Sequence, residues 1–187
     1  MLDNKQLSIG EDIRTELFYP SHPFPAYLCQ KIARFPLGFR ELALSGQLSV
    51  QFIDFLYLTV LSAQLNSEDV GSLSTVADDV LGMSSLTTLE FVLGIALTAY
   101  NMYFERKLRT VTGGNPFYLQ RRVKVLAARS DILACDPDAL EWACLSLRAT
   151  TEKDANLWRW ADAWLRATQT SDYRRQRVLG RAFLPIP

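Results

Sequence analysis

A chain of 187 residues with 49% apolar and 11% aromatic side chains can fill one sizeable core, which excludes disorder along its whole length. Lys plus Arg and Asp plus Glu each number 20, so no net field steers it toward nucleic acid or an anionic membrane. Residues 1–120 carry a net charge of −4 and residues 121–187 a net of +4, which reads as a solvated, arginine-rich helical surface near the C-terminus.

The first residues, MLDNKQLSIGEDIRTE, have neither the basic start nor the apolar run of a signal peptide. Residues 1–22 are polar and run into Pro20, Pro23 and Pro25, which predicts an irregular arm, with a single helical domain over 23–187. Tyr27, Leu28, Ile32 and Phe35 recur at helical spacing until Pro36 stops them. A short helix, Phe39–Ser45, then closes at Gly46. Ser49 is a good N-cap for a helix to about Gln64. Its apolar residues, Phe52 to Leu61, cover most of its sides, so it is expected to be central.

Residues 66–85 are rich in Ser, Asp and Gly and read as a connection, with a short helix at Ser74–Leu81. Thr87 and Glu90 have capping-box spacing, so a long helix begins there and runs to about Arg109. Its Leu86–Phe104 stretch approaches membrane-span length. Glu90 and Asn101 interrupt it, so it reads as a buried core helix. Gly113–Gly114–Asn115–Pro116 is a break, followed by a helix over Phe117–Leu133 with Leu119, Val123, Leu126 and Leu133 inside. Asp136 before Pro137 marks a further helix start, running to about Ala149. Asp154 caps the next, whose stripe is Leu157, Trp158, Ala161, Trp164 and Leu165. A last short helix spans Ser171–Gly180, ahead of the tail Phe183–Pro187. No period-two alternation supports a sheet, so the expectation is an all-α array of about six to eight helices.

Reactive constellations are scarce. His22 is the sole imidazole and lies between prolines in a loop, with no companion for triad chemistry. Cys29, Cys135 and Cys144 make no zinc spacing and no disulfide framework, and read as reduced thiols of an intracellular protein. The carboxylate pairs Glu68–Asp69 and Asp78–Asp79 are adjacent in sequence, so their side chains diverge and suit loop solubility better than a metal site. Gly113–Gly114 lacks the spacing of a phosphate-binding loop. No catalytic, cofactor-binding or metal-binding residue is therefore assigned, and no cofactor is expected. Trp142, Trp158, Trp160 and Trp164 cluster near the C-terminus and mainly suit core packing. Trp158 and Trp160, with Arg174, Arg175 and Arg177 of the run YRRQR, are the residues best suited to an interaction surface, since Trp and Arg are favoured anchors. As a nucleic-acid site that run has little basic support around it.

Three segments read together carry a resemblance: ARFPLGFRELALSGQLSVQFIDFL (Ala33–Leu56), SSLTTLEFVLGIALTAYNMYF (Ser84–Phe104) and WACLSLRATTEKDANLWRW (Trp142–Trp160). Over roughly residues 25–165 the chain resembles the C-terminal helical regulatory region of fungal binuclear zinc-cluster transcription factors. The resemblance implies a helical module that regulates or mediates interaction, and a nuclear location. It does not bring DNA binding, because the six-cysteine cluster and basic linker of the family are missing. The leading expectation is a transcription-related regulatory domain acting through protein partners. Two alternatives stay open. One is a small-molecule-binding protein or enzyme with an apolar pocket walled by Glu90, Tyr100, Asn101 and Tyr103; the other is an accessory subunit of a bacterial or phage assembly. No membrane contact is expected, and the sequence leaves the oligomeric state open.

Overall fold

The computed structural model describes residues 24–65, 81–82, 85–108, 116–153, 155–168, 172–179 and 183–186; the side chains of 62–65, 104–108, 116–118, 120 and 172–174 lie outside that description. Among the described residues there are eight α-helices, one 3-10 turn and no strand. The expected arm, the Ser74–Leu81 helix (apart from Leu81), His22, both carboxylate pairs, Gly113–Gly114 and the Asp154 cap all lie outside them.

Helix α1 (Ala26–Ile32) ends three residues before Phe35, because the residue before Pro36 is pushed out of the helical region. Phe35 is nevertheless fully buried by the turn that follows. Helix α2 (Leu37–Leu44) starts directly after Pro36, two residues earlier than its apolar spacing suggests. Arg40 secures the corner: its Nη2 donates to the carbonyls of Ala33 at 2.9 Å and Phe35 at 3.1 Å. At the other end Gly46 takes a left-handed φ of 74°. There the Gly46 N–H reaches the Ala43 carbonyl and the Gln47 N–H reaches Leu42, the two bonds of a Schellman stop.

Helix α3 (Val50–Leu65) and helix α4 (Thr88–Leu108) start from one shared carboxylate. The Ser49 hydroxyl accepts from the Phe52 N–H, the expected cap. The capping box of α4 also forms, with the Glu90 N–H donating to Thr87 Oγ1 at 3.2 Å and the Thr87 N–H to Glu90 Oε2 at 2.9 Å. The other oxygen of Glu90 accepts the Ser49 N–H at 2.6 Å, so this buried side chain ties two helix N-termini together. From Thr88 to Asn101 every residue of α4 is buried, and α4 packs on α3, on helix α5 (Pro116–Ala127) and above all on helix α6 (Pro137–Thr150). Gly94 allows the close approach: a Cβ there would sit 2.9 Å from Leu81 Cδ2 and 3.5 Å from Phe52 Cε2. Among the described residues no helix is long and apolar enough to cross a membrane.

The expected single helix Phe117–Leu133 is instead α5 followed by a 3-10 turn over Ser130–Ala134. Tertiary hydrogen bonds break it. Arg129 Nη1 donates to the Leu86 carbonyl and to Thr88 Oγ1, and the Thr88 hydroxyl donates to Asp131, all at the start of α4. The turn therefore points Leu133 outward, 83% exposed, whereas Leu119 and Leu126 are buried and Val123 is partly so. Helix α6 starts as its sequence implies, with Asp136 Oδ1 accepting from the N–H groups of Asp138 and Ala139. Helix α7 (Asn156–Thr168) packs on α6 and α5, and helix α8 (Asp172–Arg177) is short, giving way to a wider turn at Val178–Leu179. The chain then brings Phe183 between Phe39 and Trp142, with centroids 4.9 and 5.8 Å away.

Candidate functional site

A hollow of about 240 Å3 opens between α2, the start of α6 and the C-terminal segment. Gly38, Leu42 and Phe183 form its apolar side, and Glu41, Ser45, Gln47, Asp136, Asp138 and Arg177 its polar side. Asp136 is occupied by capping α6, and the Arg177 guanidinium is paired with Asp138. The three carboxylates thus face one arginine, which leaves the hollow acidic.

Alongside runs the outward face of α2. Phe39, Leu42 and Ala43 turn inward and are buried, so the 100° step of a helix places Leu37 and Leu44 on the opposite side, one heptad apart. They are 53% and 43% exposed. Glu41 lies between them on the same side and on the rim of the hollow. The exposed face of α2 thus sets an apolar pair beside an acidic recess. No match to this chain is found among family models, curated proteins or solved structures.

The tryptophans and arginines suggested by the sequence are placed in two regions. Trp158 on α7 is half-buried with the Arg148 guanidinium 5.6 Å from its ring centroid, while Trp160 is half-buried against the core. Arg175 stands with its Nε 3.9 Å from the buried Glu141, and Arg177 is in the hollow. The side chain of Arg174 is outside the described residues. Asp138 and Arg148, the partners of the two groups, are ten positions apart on α6, about 15 Å along its axis. Trp142 is fully buried, and its indole N–H donates to the Leu184 carbonyl at 2.8 Å.

Of the four residues suggested as pocket walls, Glu90 stands apart from Tyr100, Asn101 and Tyr103, which lie within about one turn of each other on α4. Both carboxylate oxygens of Glu90 accept backbone N–H groups. Asn101 is some three turns further along α4, where its Nδ2 donates to Thr59 Oγ1 at 3.3 Å. Tyr100 is buried, which pushes its phenol up from the usual value, and Tyr103 is half-buried. Among the described residues, no three His, Cys, Asp or Glu side chains are grouped to hold a metal. Cys144 is buried, and burial together with the nearby Glu141 charge pushes its thiol well above the ordinary range. Burial and Asp131 likewise raise Cys135, so neither thiol is activated as a nucleophile. The sequence reading missed the Leu37–Leu44 pair. Its signal was present: a short helix whose inward positions are already filled by Phe39, Leu42 and Ala43 must turn other leucines to the outside.

Proposed function

We propose that the chain is a helical regulatory and interaction module that works through a protein partner and does not itself contact DNA. The outward Leu37–Leu44 pair of α2, set beside an acidic hollow, carries this reading. Exposed leucines one heptad apart match the spacing at which a partner helix presents its own apolar residues. The resemblance of Ala33–Leu56, Ser84–Phe104 and Trp142–Trp160 to the regulatory region of zinc-cluster factors supports a transcription-related role, in the nucleus. The test is quantitative cross-linking in native extract, comparing wild type with Leu37→Ser/Leu44→Ser. A discrete partner retained by wild type and lost by the double variant, at unchanged helicity, is the expected result. A chain that stays monomeric and captures nothing that depends on those two leucines refutes the reading.

A further inference from the structure

Taking docking at Leu37 and Leu44 as given, we propose that the partner surface is a cationic amphipathic helix, which sets a Lys or Arg side chain into the acidic hollow and packs apolar residues on the leucines around it. At 100° per residue Leu37, Glu41 and Leu44 fall within about 60° of one another, so one face of α2 carries leucine, carboxylate and leucine over about 10 Å. The rest of the rim repeats the pattern. Leu133 lies three residues before Asp136 and Leu179 two residues after Arg177, so chain length holds each within about 11 Å of a lining residue. Both are exposed. Each of the three stretches that build the hollow thus brings exposed leucine to it. These four leucines are most of the seven large apolar side chains exposed among the described residues. Single exposed leucines are ordinary, whereas four gathered about one recess are the mark of a contact surface.

The charge of the recess selects the sign of what enters. Glu41, Asp136 and Asp138 line it against Arg177, an excess of two negative charges. The positive N-terminus of α6 and the negative C-terminus of α2 both border it, so the two helix ends offset one another and the excess stands. Asp136 caps α6 and Asp138 is paired with Arg177, whereas Glu41 sits on the exposed face of α2 between the two leucines. Glu41 is thus the carboxylate placed to take a cation presented between two apolar contacts. The volume of about 240 Å3 is several times the roughly 30 Å3 of one water, which admits a long side chain but no second helix. The apolar wall of Leu42 and Phe183 suits the methylene stem of Lys or Arg, whose charged head reaches the carboxylates. A helix laid along α2 presents residues i and i+7 to Leu37 and Leu44, and residue i+3 or i+4 to Glu41. Nucleic acid and anionic lipid share the sign of the recess and are repelled by it.

A displayed library of random peptides of about twenty residues, long enough to hold a helix, is selected on the full wild-type chain. The expected enrichment is for two apolar residues seven apart, with Lys or Arg three or four positions after the first. The enriched peptide is then labelled and titrated by anisotropy. Glu41→Lys is expected to weaken it by about tenfold or more, while Glu152→Lys, an exposed site beyond the far end of α6, leaves it unchanged. Raising salt from about 0.1 to about 1 M, which shortens the screening length from about 10 to about 3 Å, weakens it several-fold. The same peptide with its cation replaced by Glu, tested on the unaltered chain, is expected to lose binding and reads the charge dependence without any variant. Leu37→Ser/Leu44→Ser separates the partner's charge from docking itself. Enriched peptides that need both leucines but carry no cation, or that bind Glu41→Lys as well as wild type, overturn the cationic partner and leave docking intact. Peptides indifferent to the two leucines, or no enrichment at all, overturn both.

Discussion

Replacing Glu90 with glutamine removes one charge and almost no volume, yet it strikes the point where two helices begin. The carboxylate accepts the Ser49 N–H at 2.6 Å and the Thr87 N–H at 2.9 Å, and it is buried. The amide has one oxygen for these two donors and turns an NH2 toward the other. Losing a hydrogen bond to a charged acceptor costs about 1.5–3 kcal/mol, and the surviving bond to a neutral oxygen is weaker. The lost attraction between a negative charge and a helix N-terminus adds about 0.3–1 kcal/mol. The expected loss is therefore about 3 kcal/mol, or roughly 6–12 °C in melting temperature for a chain of this size. Urea titration followed by circular dichroism measures it, with the exposed Glu152→Gln as a control. Thr87→Ala removes the reciprocal acceptor of the Glu90 N–H, and its cost of about 1 kcal/mol falls short of additivity with Glu90→Gln. A Glu90→Gln loss below about 1 kcal/mol refutes the view that this one side chain organises both helix starts.

At Gly94 a size ladder checks the packing of α4. Alanine gains about 1 kcal/mol of helix propensity but forces Leu81 Cδ2 to move, so its net effect stays small, whereas valine overpacks and costs about 1–3 kcal/mol by thermal unfolding. A valine variant as stable as wild type contradicts the close approach. Cys144 is expected to resist alkylation in the folded chain at pH 8 and to react only on unfolding, as followed by mass spectrometry. Labelling of native Cys144 at the rate of an exposed thiol counts against its buried position. The Thr88 hydroxyl, as the leading cause, holds the Asp131 carboxyl below its usual value. A depressed carboxylate stabilises the fold above its unfolded pKa, and that contribution fades as pH falls through the lowered value. Thr88→Val is expected to return the Asp131 midpoint toward the ordinary range in an NMR titration, and an unmoved midpoint rejects the contact.

Local signals made several elements legible. The capping box at Thr87 and Glu90, the Ser49 cap, the Asp136–Pro137 start and the Gly46 stop all act within a few residues, and each forms as its letters imply. What could not be read involved partners distant in sequence. Leu133 continues the apolar spacing of α5, but Arg129 and Asp131 bond to Leu86 and Thr88 more than forty residues away, and those bonds end the helix first. Glu90 illustrates the same limit at the level of the site. Its capping role was readable, while its second bond, to Ser49, depends on two helix starts meeting in space. The hollow is built by α2, the start of α6 and the tail, three stretches whose adjacency no local pattern encodes.

The corner between α1 and α2 hangs on one side chain. The arginine that clasps the Ala33 and Phe35 carbonyls belongs to the very helix whose direction it sets, and its own N–H is bonded to Pro36. The angle between α1 and α2 is thus held from the α2 side by a single guanidinium, which satisfies two carbonyls left open beyond the end of α1.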